Sequence, residues 1–182
     1  MSQPSNEHDT EVIRVSCLFA VVCAALLYAT VSHAAGAPAS DLGPNEPAFM
    51  PLGQTAKIAQ FGTNEWASID QTGKGNTVNV TQTLANNAAS IAQAGRNNAL
   101  SVSQLGYNNQ LAASQQGSNN TLTASQTGVA NSIEATQSGS SNNASVRQVG
   151  SHDTVQMSQT GSNHTVSVQQ YGSGMHAIVN QH

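Results

Sequence analysis

The sequence predicts an all-β fold, a cross-β solenoid of about six two-strand rungs, and three observations carry that reading. Glutamine recurs every eleven residues without a miss, apolar and polar side chains alternate with a period of two between those glutamines, and every proline lies before residue 55. Self-similarity at a fixed period is the signature of a repeat architecture, in which each unit is one supersecondary element that must stack on its neighbours to bury its apolar face.

The glutamines are Gln60, Gln71, Gln82, Gln93, Gln104, Gln115, Gln126, Gln137, Gln148, Gln159, Gln170 and Gln181. Two residues after them come the glycines expected to make the turns, Gly62, Gly73, Gly95, Gly106, Gly117, Gly128, Gly139, Gly150, Gly161 and Gly172, with Leu84 as the exception. Five residues after the glutamines stand Asn76, Asn87, Asn98, Asn109, Asn120, Asn131 and Asn142, while Glu65, Asp153, His164 and Met175 replace asparagine towards the ends. The seventh position is always apolar (Ala67, Val78, Ala89 and onward to Ala177) and so is the ninth (Ile69, Val80, Ile91 and onward to Val179). The position between them is mostly polar, the alternation of a strand with one buried face. Units rich in Gly, Ser, Thr and Asn and patterned at two rather than 3.6 do not make helices.

Each eleven-residue half-repeat is therefore a strand and a turn, and two of them make one rung with a period of 22 residues. Ala56 and Ile58 carry the same pattern ahead of Gln60, so the array holds twelve strands, roughly 55–61 to 176–182. Pro4, Pro38, Pro44, Pro47 and Pro51 precede it, leaving every later N–H free for a ladder. Successive strands on opposite walls bring residues 22 apart into direct stacking at about 4.8 Å, so the glutamines form two columns and the asparagines further ones. A buried amide is costly when unpaired, and an in-register column lets each amide bond the next.

Ahead of the array, residues 15–31 are apolar and uncharged, Arg14 precedes them, and Ser32-His33-Ala34 places small residues at a signal-peptidase site. Residues 1–34 are expected to be a signal peptide cut after Ala34, with 35–54 a flexible leader and 55–182 the solenoid. The acidic Glu7, Asp9 and Glu11 suit a translation start near Val12. Both cysteines, Cys17 and Cys23, leave with the signal, so the mature chain has no disulfide and no thiolate nucleophile. No integral membrane span is expected in the mature chain.

Composition excludes several classes of function. Only 8% of the residues are charged and 4% aromatic, and a formal charge of −4 lacks the basic block that phosphate backbones require, so no nucleic-acid partner is expected. An enzyme on a solenoid scaffold needs paired acids, yet past residue 54 the acids are Glu65, Asp70, Glu134 and Asp153, no two sharing a column within one rung. Neither catalytic residues nor a cofactor are expected. An ice-binding face needs an unbroken threonine array, and Thr77, Thr121, Thr154 and Thr165 are interrupted by Trp66, Ala88, Ala99, Gln110, Ser132, Asn143 and His176. Calcium-binding nonapeptide repeats need a recurring Asp after paired glycines, which is absent. His152, His164 and His176 drift through different turn positions and read as solvated turn residues rather than a metal site.

The unit Gln-x-Gly-x-x-Asn-x-apolar-x-apolar-x-Gln over residues 55–182 resembles the curlin repeat of bacterial curli fibres. The resemblance implies a secreted protein that passes the outer membrane through the curli secretion pore with its accessory factors. It implies self-assembly on the cell surface into adhesive amyloid that forms biofilm matrix. It also implies a second curlin subunit as partner. The uninterrupted period, the leader without a Gly/Asn-rich tract and the ending QQYGSGMHAIVNQH look more like the minor, nucleating subunit. The scarcity of basic residues in the last repeats looks less so, and the major fibre subunit is the alternative.

Overall fold

The computed structural model describes residues 11–16, 23–30 and 53–182. The expected cleavage site after Ala34 and nearly all of the leader lie outside the described residues. Two segments within the expected signal are strands, β1 (Glu11–Ser16) and β2 (Cys23–Thr30).

The twelve strands of the array follow at strict intervals. They are β3 (Thr55–Thr63), β4 (Trp66–Lys74), β5 (Thr77–Ala85), β6 (Ala88–Arg96), β7 (Ala99–Tyr107), β8 (Gln110–Ser118), β9 (Thr121–Val129), β10 (Ser132–Ser140), β11 (Asn143–Ser151), β12 (Thr154–Ser162), β13 (Thr165–Ser173) and β14 (His176–Gln181). Even-numbered strands of the array form one sheet in the order β1-β4-β6-β8-β10-β12-β14, and odd-numbered ones form the other as β13-β11-β9-β7-β5-β3-β2. Within the array every pairing is parallel with a shift of 22 residues, so Gln82 pairs with Gln104 and Ala113 with Ala135. The chain is thus an all-β solenoid of six two-strand turns. At its N-terminal end the pairing reverses, for β1 runs antiparallel to β4 and β2 antiparallel to β3.

The core lies between the two sheets. Inward residues such as Ile69, Val80, Leu100, Leu122, Ile133 and Met157 are fully buried, and their strand neighbours face outward. The interior is thin, since two short aliphatic side chains per strand supply it, each contributing about 1.5–3 kcal/mol on burial when it is the size of Val or Leu. The last rung shows the cost of lacking a neighbour: Ala177 and Val179 are only partly buried.

The strands run two residues beyond the sequence expectation and take the glycines with them. Gly73, Gly95 and their equivalents are the next-to-last residues of their strands, with φ between 106° and 154°, instead of turn residues. The turn itself falls on the second residue after glycine, where Asn64, Asn86, Asn97, Asn108, Asn119 and Asn163 adopt φ of 55–61°, a region that asparagine tolerates. The reason is contact between rungs. A Cβ on Gly73 would overlap the carbonyl oxygen of Gly95, and the same clash recurs along both glycine columns.

Candidate functional site: amide columns and open sheet edges

The glutamines point inward at the end of each apolar pair, and their amides form two unbroken columns. In one, Gln60 Nε2 donates to Gln82 Oε1 at 2.7 Å, Gln82 to Gln104 at 2.8 Å, Gln104 to Gln126 at 2.9 Å, Gln126 to Gln148 at 3.0 Å and Gln148 to Gln170 at 2.8 Å. In the other, Gln71, Gln93, Gln115, Gln137, Gln159 and Gln181 are joined in the same sense at 2.6–3.1 Å. The second N–H crosses to the opposite sheet: Gln82 Nε2 donates to the Trp66 carbonyl at 2.9 Å and Gln126 Nε2 to that of Gln110 at 2.9 Å. One side chain therefore ties rung to rung and wall to wall. The direction is uniform, with each donor on the N-terminal side of its acceptor.

The asparagines follow the turn residue and run the other way. Asn98 donates to Asn76 Oδ1 from both its backbone N (3.1 Å) and its Nδ2 (3.2 Å), while the same Nδ2 reaches the carbonyls of Ala94 and Gly117, each at 3.1 Å. Asn87, Asn109 and Asn131 form the second column, with Asn120 and Asn142 continuing the first. All seven asparagines are completely buried.

The off-pattern residues occupy the same columns. Asp153 is fully buried; its backbone N donates to Asn131 Oδ1 at 3.1 Å and its own Oδ1 accepts from Met175 N at 2.9 Å. Its Oδ2 has no partner. Glu65 heads that column, with Oε1 accepting from Asn87 Nδ2 at 3.1 Å and Oε2 unpartnered. Burial pushes the Glu65 carboxyl above the ordinary carboxylate range, against the lowering effect of its hydrogen bonds from Asn87. Gln54 heads the first column, accepting from Asn76 Nδ2 at 3.4 Å and donating to the carbonyls of Gln71 and Gly73. Sequence reasoning left Gln54 in the leader, although its place eleven residues before Glu65 was a signal of its role.

Of the residues weighed for other chemistry, Glu65 and Asp153 are thus buried in the columns and Asp70 is half-buried, with Oδ1 buried and unpartnered, while others lie on the outside. Glu134 accepts from Gln156 Nε2 at 3.2 Å, Trp66 and Tyr107 are exposed strand residues, and His152 and His176 are exposed. Among the described residues no three His, Cys, Asp or Glu side chains cluster as metal ligands, and no helix is long and apolar enough to cross a membrane.

Stacked parallel strands, buried amide columns and sheets whose last strands β13 and β14 have one unpaired edge each among the described residues define a structural β-solenoid built from amyloid-like rungs. The curlin associated repeat family matches residues 55–83, 95–128 and 129–161, over half of the chain, and the chain belongs to that family. No curated protein matches the chain.

Proposed function

We propose that this protein is a secreted subunit of extracellular curli-type amyloid, exported after removal of residues 1–34, with residues 35–54 as a flexible leader and 55–182 as the assembling unit. The observation that supports it most is the pair of open sheet ends. A strand with unpaired N–H and C=O groups recruits another strand, and joining the C-terminal end of one copy to the N-terminal end of the next is heterologous and does not close, so it yields fibres. Gln60, Gln104 and the other column residues are the structural determinants, because their amides are satisfied only when rungs are in register.

Within that role the nucleating subunit is favoured over the major subunit. Rungs from Asn76 to Asn142 offer an ordered template, while Asp153, His164 and Met175 continue the columns near the C-terminus without the asparagine amide. The fibres would serve adhesion and biofilm matrix at the cell surface, with the second curlin subunit and the curli secretion pore as partners. Purified residues 35–182 diluted from denaturant and followed by thioflavin fluorescence test the fibre reading; a lag followed by fibres is expected, and a monodisperse monomer after days at neutral pH would refute it. Addition at a few per cent to the major curlin of the same organism tests the role: a shortened lag supports nucleation, and an unchanged lag with abundant fibres of this chain alone assigns it as the major subunit.

A further inference from the structure

The two ends of the solenoid are chemically complementary. At the N-terminal end Gln60 Oε1 is buried and accepts no hydrogen bond, because every donor in its column stands on the N-terminal side of its acceptor and no glutamine precedes it. At the C-terminal end the Gln170 amide donates to the Thr154 carbonyl at 3.2 Å but meets no glutamine acceptor of a following rung. If β3 and β4 of a second copy continue the 22-residue register on β13 and β14, Gln170 faces Gln60 of that copy, and Gln181 faces its Gln71. Val168 then meets Ile58, and Gly172 meets Gly62. The partly exposed Ala177 and Val179 gain the covering that interior rungs already have.

That receiving edge is occupied within this chain. Strand β2 pairs antiparallel along β3 and β1 along β4, and the register sets Ala25 opposite Gln60. Alanine has no donor, so β2 satisfies the backbone of the edge and leaves the Gln60 carbonyl orphaned. A buried acceptor left without a partner is destabilising, because it has given up its water and gained nothing in exchange. A second copy supplies both the backbone ladder and the missing amide donor, and is the better partner.

We propose that the β3/β4 edge is the receiving end of a joint with a second copy of this chain, that β13/β14 is the donating end, and that β1 and β2 hold the receiving end closed until they leave. This rests on the fibre-subunit reading. Cleavage after Ala34, expected from the sequence, would remove both covering strands at once, so processing would also license growth.

The test locks the cover in place. In the full chain, Ala24→Cys and Phe61→Cys join two residues that face one another across β2 and β3, with Cys17→Ser and Cys23→Ser to prevent other bridges. Facing residues of an antiparallel pair lie about 4.5–5.5 Å apart, within disulfide reach. Fibre seeds are grown from the reduced form and single filaments are imaged. The oxidised chain should fail to elongate them, with rates at least tenfold below the reduced form, and at low ratio it should stop the reduced chain's growth at one filament end only. Equal elongation by oxidised and reduced chains would overturn the proposal while leaving the fibre reading intact. If the chain without residues 1–34 forms no fibres at all, the fibre reading fails and this proposal with it.

Discussion

Gly95 and Gly117 stand on adjacent strands so close that a Cβ added to Gly95 would overlap the Gly117 carbonyl oxygen. The backbones of adjacent rungs thus meet where the chain bends into its turn, and a side chain at Gly95 has no room unless the Gly117 carbonyl moves.

The column makes two opposite substitutions informative. Gly95→Ala should slow assembly at least tenfold, because its φ of 117° and the overlap with the next rung add together. Leu84 occupies the equivalent position with φ of 94°, strained for leucine by about 1–3 kcal/mol, so Leu84→Gly should accelerate assembly. Thioflavin half-times of the two variants against the unsubstituted chain provide the check.

Asp153→Asn should stabilise the assembled state by about 1–3 kcal/mol. The unpartnered Oδ2 takes the place of an amide that, in Asn98 and Asn120, donates to backbone carbonyls, and asparagine restores those donors. The guanidinium concentration that dissolves the fibres should rise. An unchanged midpoint would mean that the carboxylate is satisfied in another way.

The buried Glu65 makes stability depend on pH. Its carboxyl titrates higher in the fold than in the unfolded chain, so the folded state binds the extra proton. Stability from this group therefore falls as pH rises from the ordinary carboxylate range through the raised folded value, and is highest below it. Glu65→Gln should flatten that part of the pH profile of denaturant resistance. A profile identical to that of the unsubstituted chain would assign the dependence to another group.

Inward and outward positions should respond differently within a single strand. Val102 and Gln104 are buried and Ser101 is exposed, so Val102→Asp or Gln104→Pro should slow assembly at least tenfold while Ser101→Asp changes it little. Equal effects at the three sites, measured by elongation rate on preformed seeds, would contradict the register.

The twelve-strand array was legible because its information is periodic: Gln104 repeats at a fixed spacing, and Leu100 and Val102 alternate with polar neighbours, so phase alone sorts inside from outside. The role of the glycines was not, since Gly95 reads as a turn in one dimension and only the stacked Gly117 shows why no side chain fits. Asp153 and Glu65 read as breaks in the pattern, although each keeps the one oxygen that the column needs as an acceptor. Strands β1 and β2 carry no repeat phase, and an apolar run after Arg14 signals export whether or not it also pairs with a sheet edge.

Fibre diffraction from aligned filaments of residues 35–182 tests the central claim most directly. Parallel strands stacked across the fibre axis should yield a meridional reflection near 4.8 Å and an equatorial one near 10 Å from the two facing sheets. A chain that yields only soluble monomer, or filaments without the meridional reflection, would contradict the account.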